Sequence, residues 1–352
     1  MKPRERVLAV LRGERPDRVP LTVYECMIPQ CAVERRLRND GLCIVNRHHR
    51  AYRVETPNCT RQTLRYTEGG RNRTRTTIST PVGDVSTVVE PAGNREPFYT
   101  EWTIEHYFKG PEDYAPLRFL AEDESYSPAY EDAERARRWM GDDILLRGTL
   151  GANPLHRIMQ WMGLERFAVE WHERRDEVLR LESVMRRGKR KLYQIVADSP
   201  LTHANYGGNE VPEVMGLERY EQFVLPLLQE SAEVLHAGGK LVGSHLDGNN
   251  SAWAHLVAQS GLHYVEAFTP APDTDMTLEQ ALDAWPDKVL WINFPSSLHL
   301  APVERIEQVT RRFVELGRQT NRVIIGITED IPPDRWQQNL LAISRVINSD
   351  VS

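Results

Sequence analysis

The chain has 352 residues, 40% of them hydrophobic and 27% charged, with a formal net charge of −6. That length and apolar content suffice for a substantial core in one large domain or two small ones. The acidic balance excludes the overall basic footprint of a protein that binds nucleic acid or an anionic membrane, so Arg35-Arg36, Arg71 to Arg75 and Arg186 to Lys191 read as solvated faces.

The first element is a short helix. Pro3 suits its first turn, Val7, Leu8 and Leu11 share a face, and Gly13 can end it. The opening Met1-Lys2-Pro3-Arg4 lacks the apolar core of a signal peptide, and no apolar run is long enough to cross a membrane, so a cytoplasmic protein is expected. Leu21-Thr22-Val23-Tyr24 then reads as a strand. Cys26, Cys31, Cys43 and Cys59 have irregular spacing and no CxxC pair. Reduced thiols are the expectation, with a structural zinc site shared with His48 and His49 as the alternative. From Arg61 to Val89, alternating segments separated by Glu68-Gly69-Gly70 and Pro81-Val82-Gly83-Asp84 predict an antiparallel meander, an extension over about 55–100.

After about residue 140 the pattern becomes strand, loop and helix, repeated. Ile144 to Arg147 precedes a loop from Gly148 to Pro154 and a helix through Trp161; Leu201 to Ala204 precedes a loop and a helix from Leu217 to His236. Strands follow at Leu241 to Ser244, Tyr264 to Phe268, Val289 to Asn293 and Val323 to Ile327, with amphipathic helices between them. Alternation of this kind predicts a parallel α/β fold, a TIM (β/α)8 barrel with an N-terminal antiparallel β extension. An open doubly wound sheet is the alternative, but no GxGxxG or GxxxxGK[ST] loop supports it.

Side chains two apart at a strand end point the same way, so His245 and Asp247 can converge on one point at the carboxyl end of the barrel. Glu266 sits in the next strand, Asn293 ends the one after it, and Glu329 with Asp330 follow the last. One imidazole with two or three carboxylates makes an oxygen-rich set for a divalent ion, zinc, manganese or magnesium. The competing reading makes Asp247 and Glu329 or Asp330 helix caps or turn residues.

These residues also carry a resemblance. Pro3 to Glu14 with Pro16-Asp17-Arg18-Val19-Pro20, Thr80-Pro81-Val82-Gly83, Gly216 to Pro226 and His245 to Asn249 resemble the uroporphyrinogen decarboxylase superfamily over nearly the whole chain, nearest its corrinoid-dependent methyltransferases. The resemblance implies a single barrel domain over 1–352 and a zinc site built on a His-x-Cys-Gly-Asn motif with a second Cys before a Pro-Pro pair. Here His245 matches the motif His, Asp247 stands for the first Cys and Glu329 for the second, ahead of Pro332-Pro333. Both thiolates are replaced together by carboxylates, which keeps two anionic ligands.

By that resemblance the chain is expected to move a methyl group from a small O- or N-methylated substrate to the cobalamin of a separate corrinoid protein. A metal held by carboxylates is harder than one held by thiolates and better matched to an oxygen or nitrogen of the methyl donor. Glu266, Asn209 and Asn293 are candidates to orient the substrate or protonate its leaving group, with helix capping or support of the ligands as the other reading. Tyr24, His203 and Trp161 are candidates to line the pocket, core packing being the alternative for Trp161. A homodimer is expected from the superfamily alone. The alternatives are uroporphyrinogen decarboxylation, disfavoured because Glu25 to Gln30 lacks the Arg-Gln-Ala-Gly-Arg pattern of those enzymes, another metal-dependent lyase or hydrolase, and a barrel that only binds.

Overall fold

The computed structural model describes residues 1–25, 27–47, 50–91 and 101–349. The chain divides into two compact units, the first formed by Met1–Ala51, Tyr130–Gly151 and Val196–Ser352, the second by Tyr52–Ala129 and Ala152–Ile195. Strands β1 (Leu21–Tyr24) and β2 (Leu42–Asn46) belong to the first unit. In the second, β3 (Tyr52–Glu55) pairs with β8 (Ser125–Pro128), and β4 (Thr60–Glu68), β5 (Arg71–Thr80), β6 (Gly83–Pro91) and β7 (Glu101–Glu105) form a four-stranded antiparallel meander. The second unit also takes in the helices Leu164–Glu173 and nearly all of Arg175–Ala197. Among the described residues no helix is long and apolar enough to cross a membrane.

The remaining strands are β9 (Ile144–Leu146), β10 (Gly148–Ala152), β11 (His203–Gly207), β12 (Leu241–His245), β13 (Tyr264–Phe268), β14 (Val289–Asn293) and β15 (Val323–Ile327). They join β1 and β2 in one nine-stranded sheet of order β10-β11-β12-β13-β14-β15-β1-β2-β9. β9 and β10 stand at opposite ends of that order and are separated in sequence by Arg147 alone. They are two halves of one stave, and the ring of a (β/α)8 barrel closes through Arg147. The stretch from Gly148, expected as a loop, is therefore strand as far as Ala152.

The inward side chains on the lower part of the staves form one apolar cluster: Cys43 and Val45, Leu145, Leu241, Tyr264, Val289 with Trp291, and Ile324. Val7, Val10 and Leu11 of the helix Pro3–Leu11 join it, and the backbone N–H of Arg4 donates to Asp142 just ahead of β9, so this helix covers the end where the strands begin. The polar ends of the buried aromatics are satisfied. Trp291 Nε1 donates to Thr22 Oγ1 at 2.9 Å and the Tyr264 hydroxyl to the carbonyl of Ala204 at 3.0 Å. Gly243 on β12 makes room for Tyr264, because a Cβ there would lie 2.1 Å from the ring.

Along each stave inward positions recur every second residue. At the carboxyl end the inward residue is polar on every stave: Tyr24, Arg47, Arg147, Asn205, His245, Glu266, Asn293 and Thr328. On β13 the alternation stops at Glu266, where a bulge with Ala267 at φ 59° shifts the register. That bulge releases Phe268 to pack edge-on against Trp285, at 5.7 Å between ring centroids, and leaves Glu266 as the last inward residue of its strand.

The helix expected from Leu217 to His236 is present and runs to Ala237, with one π turn inside it. A short helical turn, Leu217–Arg219, runs into a π segment, Tyr220–Val224, before the helix Leu225–Ala237. Pro226 has no N–H to donate, and the helix widens by one π turn just ahead of it.

Candidate metal centre

His245 ends β12 with its ring directed into the barrel, and Asp247 follows two residues later on the same side. Glu329 comes from the loop after β15. Ligand atoms of His245, Asp247 and Glu329 all lie within 4.8 Å of one another, and among the described residues no cysteine belongs to such a cluster. Cys43 is buried in the barrel wall, where burial pushes its thiol up to about 12, and Cys59 lies in the second unit. Cys26, His48 and His49 lie outside the described residues.

Beneath this trio stands Glu266, fully buried and surrounded by donors. His245 Nδ1 lies 2.8 Å from Glu266 Oε2, which also accepts from Asn205 Nδ2 at 3.2 Å. Oε1 accepts from the Tyr24 hydroxyl and pairs with Arg147 Nη1 at 2.5 Å. Burial alone would push the Glu266 carboxyl up, but the Arg147 guanidinium and His245 overcome it and hold the group well below the usual carboxylate range. Glu266 is thus an anion with its acceptors occupied. The register of the parallel strands sets His245 beside Glu266.

His245 is gripped at both nitrogens. Nδ1 is engaged by Glu266, while Nε2 faces Asp247 Oδ2 at 3.4 Å. Burial opposes its charge, but Glu266 and Asp247 raise the imidazole to about 10. Glu329 is pushed up to about 7, by burial first and then by the neighbouring carboxylates Asp247, Glu266 and Asp330, against the opposing pull of His245.

The residues fit a divalent ion on two observations. Asp247 Oδ1 is buried without a hydrogen-bond partner among the described residues, a cost that an ion would offset. The capping role that Asp247 could have served is taken by Asp275, whose Oδ1 accepts from the backbone N–H groups of Asn250 at 2.9 Å and Ser251 at 3.3 Å. With His245 held at Nδ1 by a carboxylate, the usual arrangement around a ligating imidazole, a metal would take the place of the Nε2 proton that now faces Asp247. One nitrogen and two carboxylates leave coordination positions open, as in catalytic sites.

The other expected residues fall in different places. Asp330 and Asn209 are exposed. Asn293 is buried, with Oδ1 accepting from the backbone N–H of Thr328 at 3.0 Å. Tyr24 is buried with Arg47 over its ring, 3.6 Å from the centroid. His203 packs against Tyr264 and Trp291 on the barrel interior, and burial pushes it down to about 3, so it is neutral. Trp161 belongs to the second unit, where Arg157 lies over its ring at 4.6 Å and Tyr107 meets it edge-on. Arg147, Asn205 and Thr328 were not anticipated as site residues. Their signal was the two-residue step from an inward position on each stave.

Among solved structures the chain is similar to a methyltransferase from Methanosarcina mazei, with 13% identity, 100% of each chain covered and a TM-score of 0.60. At that identity the likeness shows the barrel fold. The pneumococcal virulence factor StrH matches with 9% identity over 95% of this chain and 83% of its own, at a TM-score of 0.39. No protein-family model and no curated protein matches the chain.

Proposed function

We propose that the chain is a metal-dependent methyltransferase that demethylates a small O- or N-methylated compound and passes the methyl group to the cobalamin of a separate corrinoid protein. The observation that carries this reading is the convergence of His245, Asp247 and Glu329 at the carboxyl end of the barrel, with Asp247 Oδ1 buried and unpaired. His245 Nε2, Asp247 and Glu329 would hold the ion, zinc foremost. A bound divalent cation supplies Lewis acidity toward the ether oxygen or amine nitrogen that leaves.

The chain's own residues do the rest. Glu266 fixes the ring of His245 through Nδ1, and Arg147 and Tyr24 keep Glu266 in place and charged. An anion so stabilised is a poor proton donor, which assigns Glu266 to positioning and not to acid catalysis. Because the helix Pro3–Leu11 covers the end where the strands begin, a macromolecular methyl acceptor would have to approach from the carboxyl end.

Elemental analysis of protein purified without chelator tests the reading. About one divalent ion per chain is expected in the wild type, with a large loss in each of His245→Ala, Asp247→Ala and Glu329→Ala. A wild type without metal, and with no uptake on adding zinc, would leave a metal-free lyase or a binding barrel as the better account.

A further inference from the structure

Among the described residues, Asn293 and Thr328 each keep a buried hydrogen-bonding group without a partner at the end of the barrel that carries the metal ligands. Asn293 is 1% exposed and Thr328 is 3% exposed. Asn293 ends β14 on the inward side, two residues beyond the inward Trp291, and Thr328 immediately precedes Glu329. The Asn293 amide has a defined orientation, because Oδ1 accepts from the Thr328 backbone N–H at 3.0 Å. Its Nδ2 therefore remains a donor, and it has no partner among the described residues; neither has Thr328 Oγ1. Buried donors are rarely left unpaired in folded proteins, so these two call for a partner that the described residues do not supply. Of the orphan acceptors in the barrel, Asp247 Oδ1 is taken by the metal in the proposed reading, and Asn205 Oδ1 lies on β11, three strands from β14.

We propose that Asn293 Nδ2 and Thr328 Oγ1 form a donor pair that receives an acceptor oxygen of the substrate, a carboxylate or carbonyl close to the methyl-bearing oxygen. The substrate class is then a methoxylated acid or ketone. A methylammonium offers further N–H donors and no acceptor, and it would leave both groups unpaired. A site built to hydrogen-bond a ligand group rejects analogues that lack it far more strongly than an apolar pocket rejects a change of size. This inference rests on the metal-dependent reading, because it is Glu329 that sets the pair beside the reacting centre.

The test is calorimetric titration of the metal-loaded protein with methoxyacetate, 2-methoxybenzoate, anisole and trimethylamine. At least one methoxy acid is expected to bind about tenfold or more tightly than anisole and trimethylamine. Thr328→Val, which removes only the hydroxyl, should weaken that acid by about tenfold with metal content and anisole binding unchanged; Asn293→Ala, which also takes the acceptor of the Thr328 backbone N–H, should weaken it at least as much. Trimethylamine binding as tightly as the acids, equal losses for every probe, or no methoxy acid bound by protein that retains its metal would overturn the donor pair while leaving the metal centre intact. Wild-type protein that takes up no metal would instead remove the metal-dependent reading, and this inference with it.

Discussion

His245 meets two opposite demands, since the carboxylates that hold its ring also hold a proton on it. Its imidazole is raised from 6.5 to about 10, and the Glu329 carboxyl from 4.5 to about 7. Each group therefore contributes stability to the metal-free protein that is full below its unfolded value and is lost as pH rises through its folded value. A metal must displace both protons, so its affinity runs the other way. The rise in melting temperature on adding zinc should be small near pH 5 and grow through the interval from about 7 to about 10 in which first Glu329 and then His245 deprotonate. A zinc effect that is flat with pH would mean that His245 and Glu329 are not both ligands. Glu266→Gln makes the complementary test. It leaves Arg147 buried beside a neutral amide, for which a loss of about 3–5 kcal/mol is expected in chemical denaturation, together with a fall of about 10- to 100-fold in metal affinity.

Much at this scale was legible from spacing. His245 and Asp247 are two apart at a strand end, and the strand before Glu329 was placed correctly at Val323–Ile327. Asn205 was missed because the strand ahead of it was placed at Leu201 to Ala204; the observed strand runs His203–Gly207 and makes Asn205 inward, whereas Asn209 falls in the exposed loop. Arg147 was passed over because a charged residue reads as the end of a strand. Its single charge is tolerated in the interior because Glu266 sits opposite it, a contact between residues 119 positions apart that no local pattern carries.

At the scale of the elements, the strands of the barrel were read more closely than its helices. A buried parallel strand is a short apolar run with sharp ends, and β1, β13, β14 and β15 match the segments expected for them. β2, Leu42–Asn46, is not among the expected strands, and its Cys43 is an inward wall residue of the barrel. The inside of the barrel also limits substitution along a strand. Gly243→Ala would set a methyl against the Tyr264 ring, with the ideal Cβ 2.1 Å away, and a loss of about 1–3 kcal/mol in denaturation is expected from such overpacking. Because β12 carries His245 two residues further on, weakened metal binding should accompany that loss. Unchanged stability would show that Tyr264 moves aside freely.

For the whole molecule, each unit has its own pattern of protection. β13, β14 and β15 are buried throughout, whereas β4 is exposed along nearly its entire length and forms an edge of the meander. Hydrogen exchange should accordingly be slow in β13 to β15, near the rate set by global unfolding, and faster by orders of magnitude at the outward-facing amides of β4. Equal protection in both would contradict the independent packing of the two sheets.

The split stave at Arg147 also sets the order in which the ring can form. From β11 to β15 every strand pairs with the next one in sequence, across a single helical crossover. β9 must instead find β2 across the excursion 52–129, and β10 must find β11 across 152–195. Contacts with large sequence separation are made late, after the entropy of closing their loops has been met. The row from β11 to β15 can thus assemble as an open sheet before the seam on either side of Arg147 is sewn. Arg147 and Glu266 come within reach of each other only when that seam closes, so the polar centre exists only once the barrel is complete.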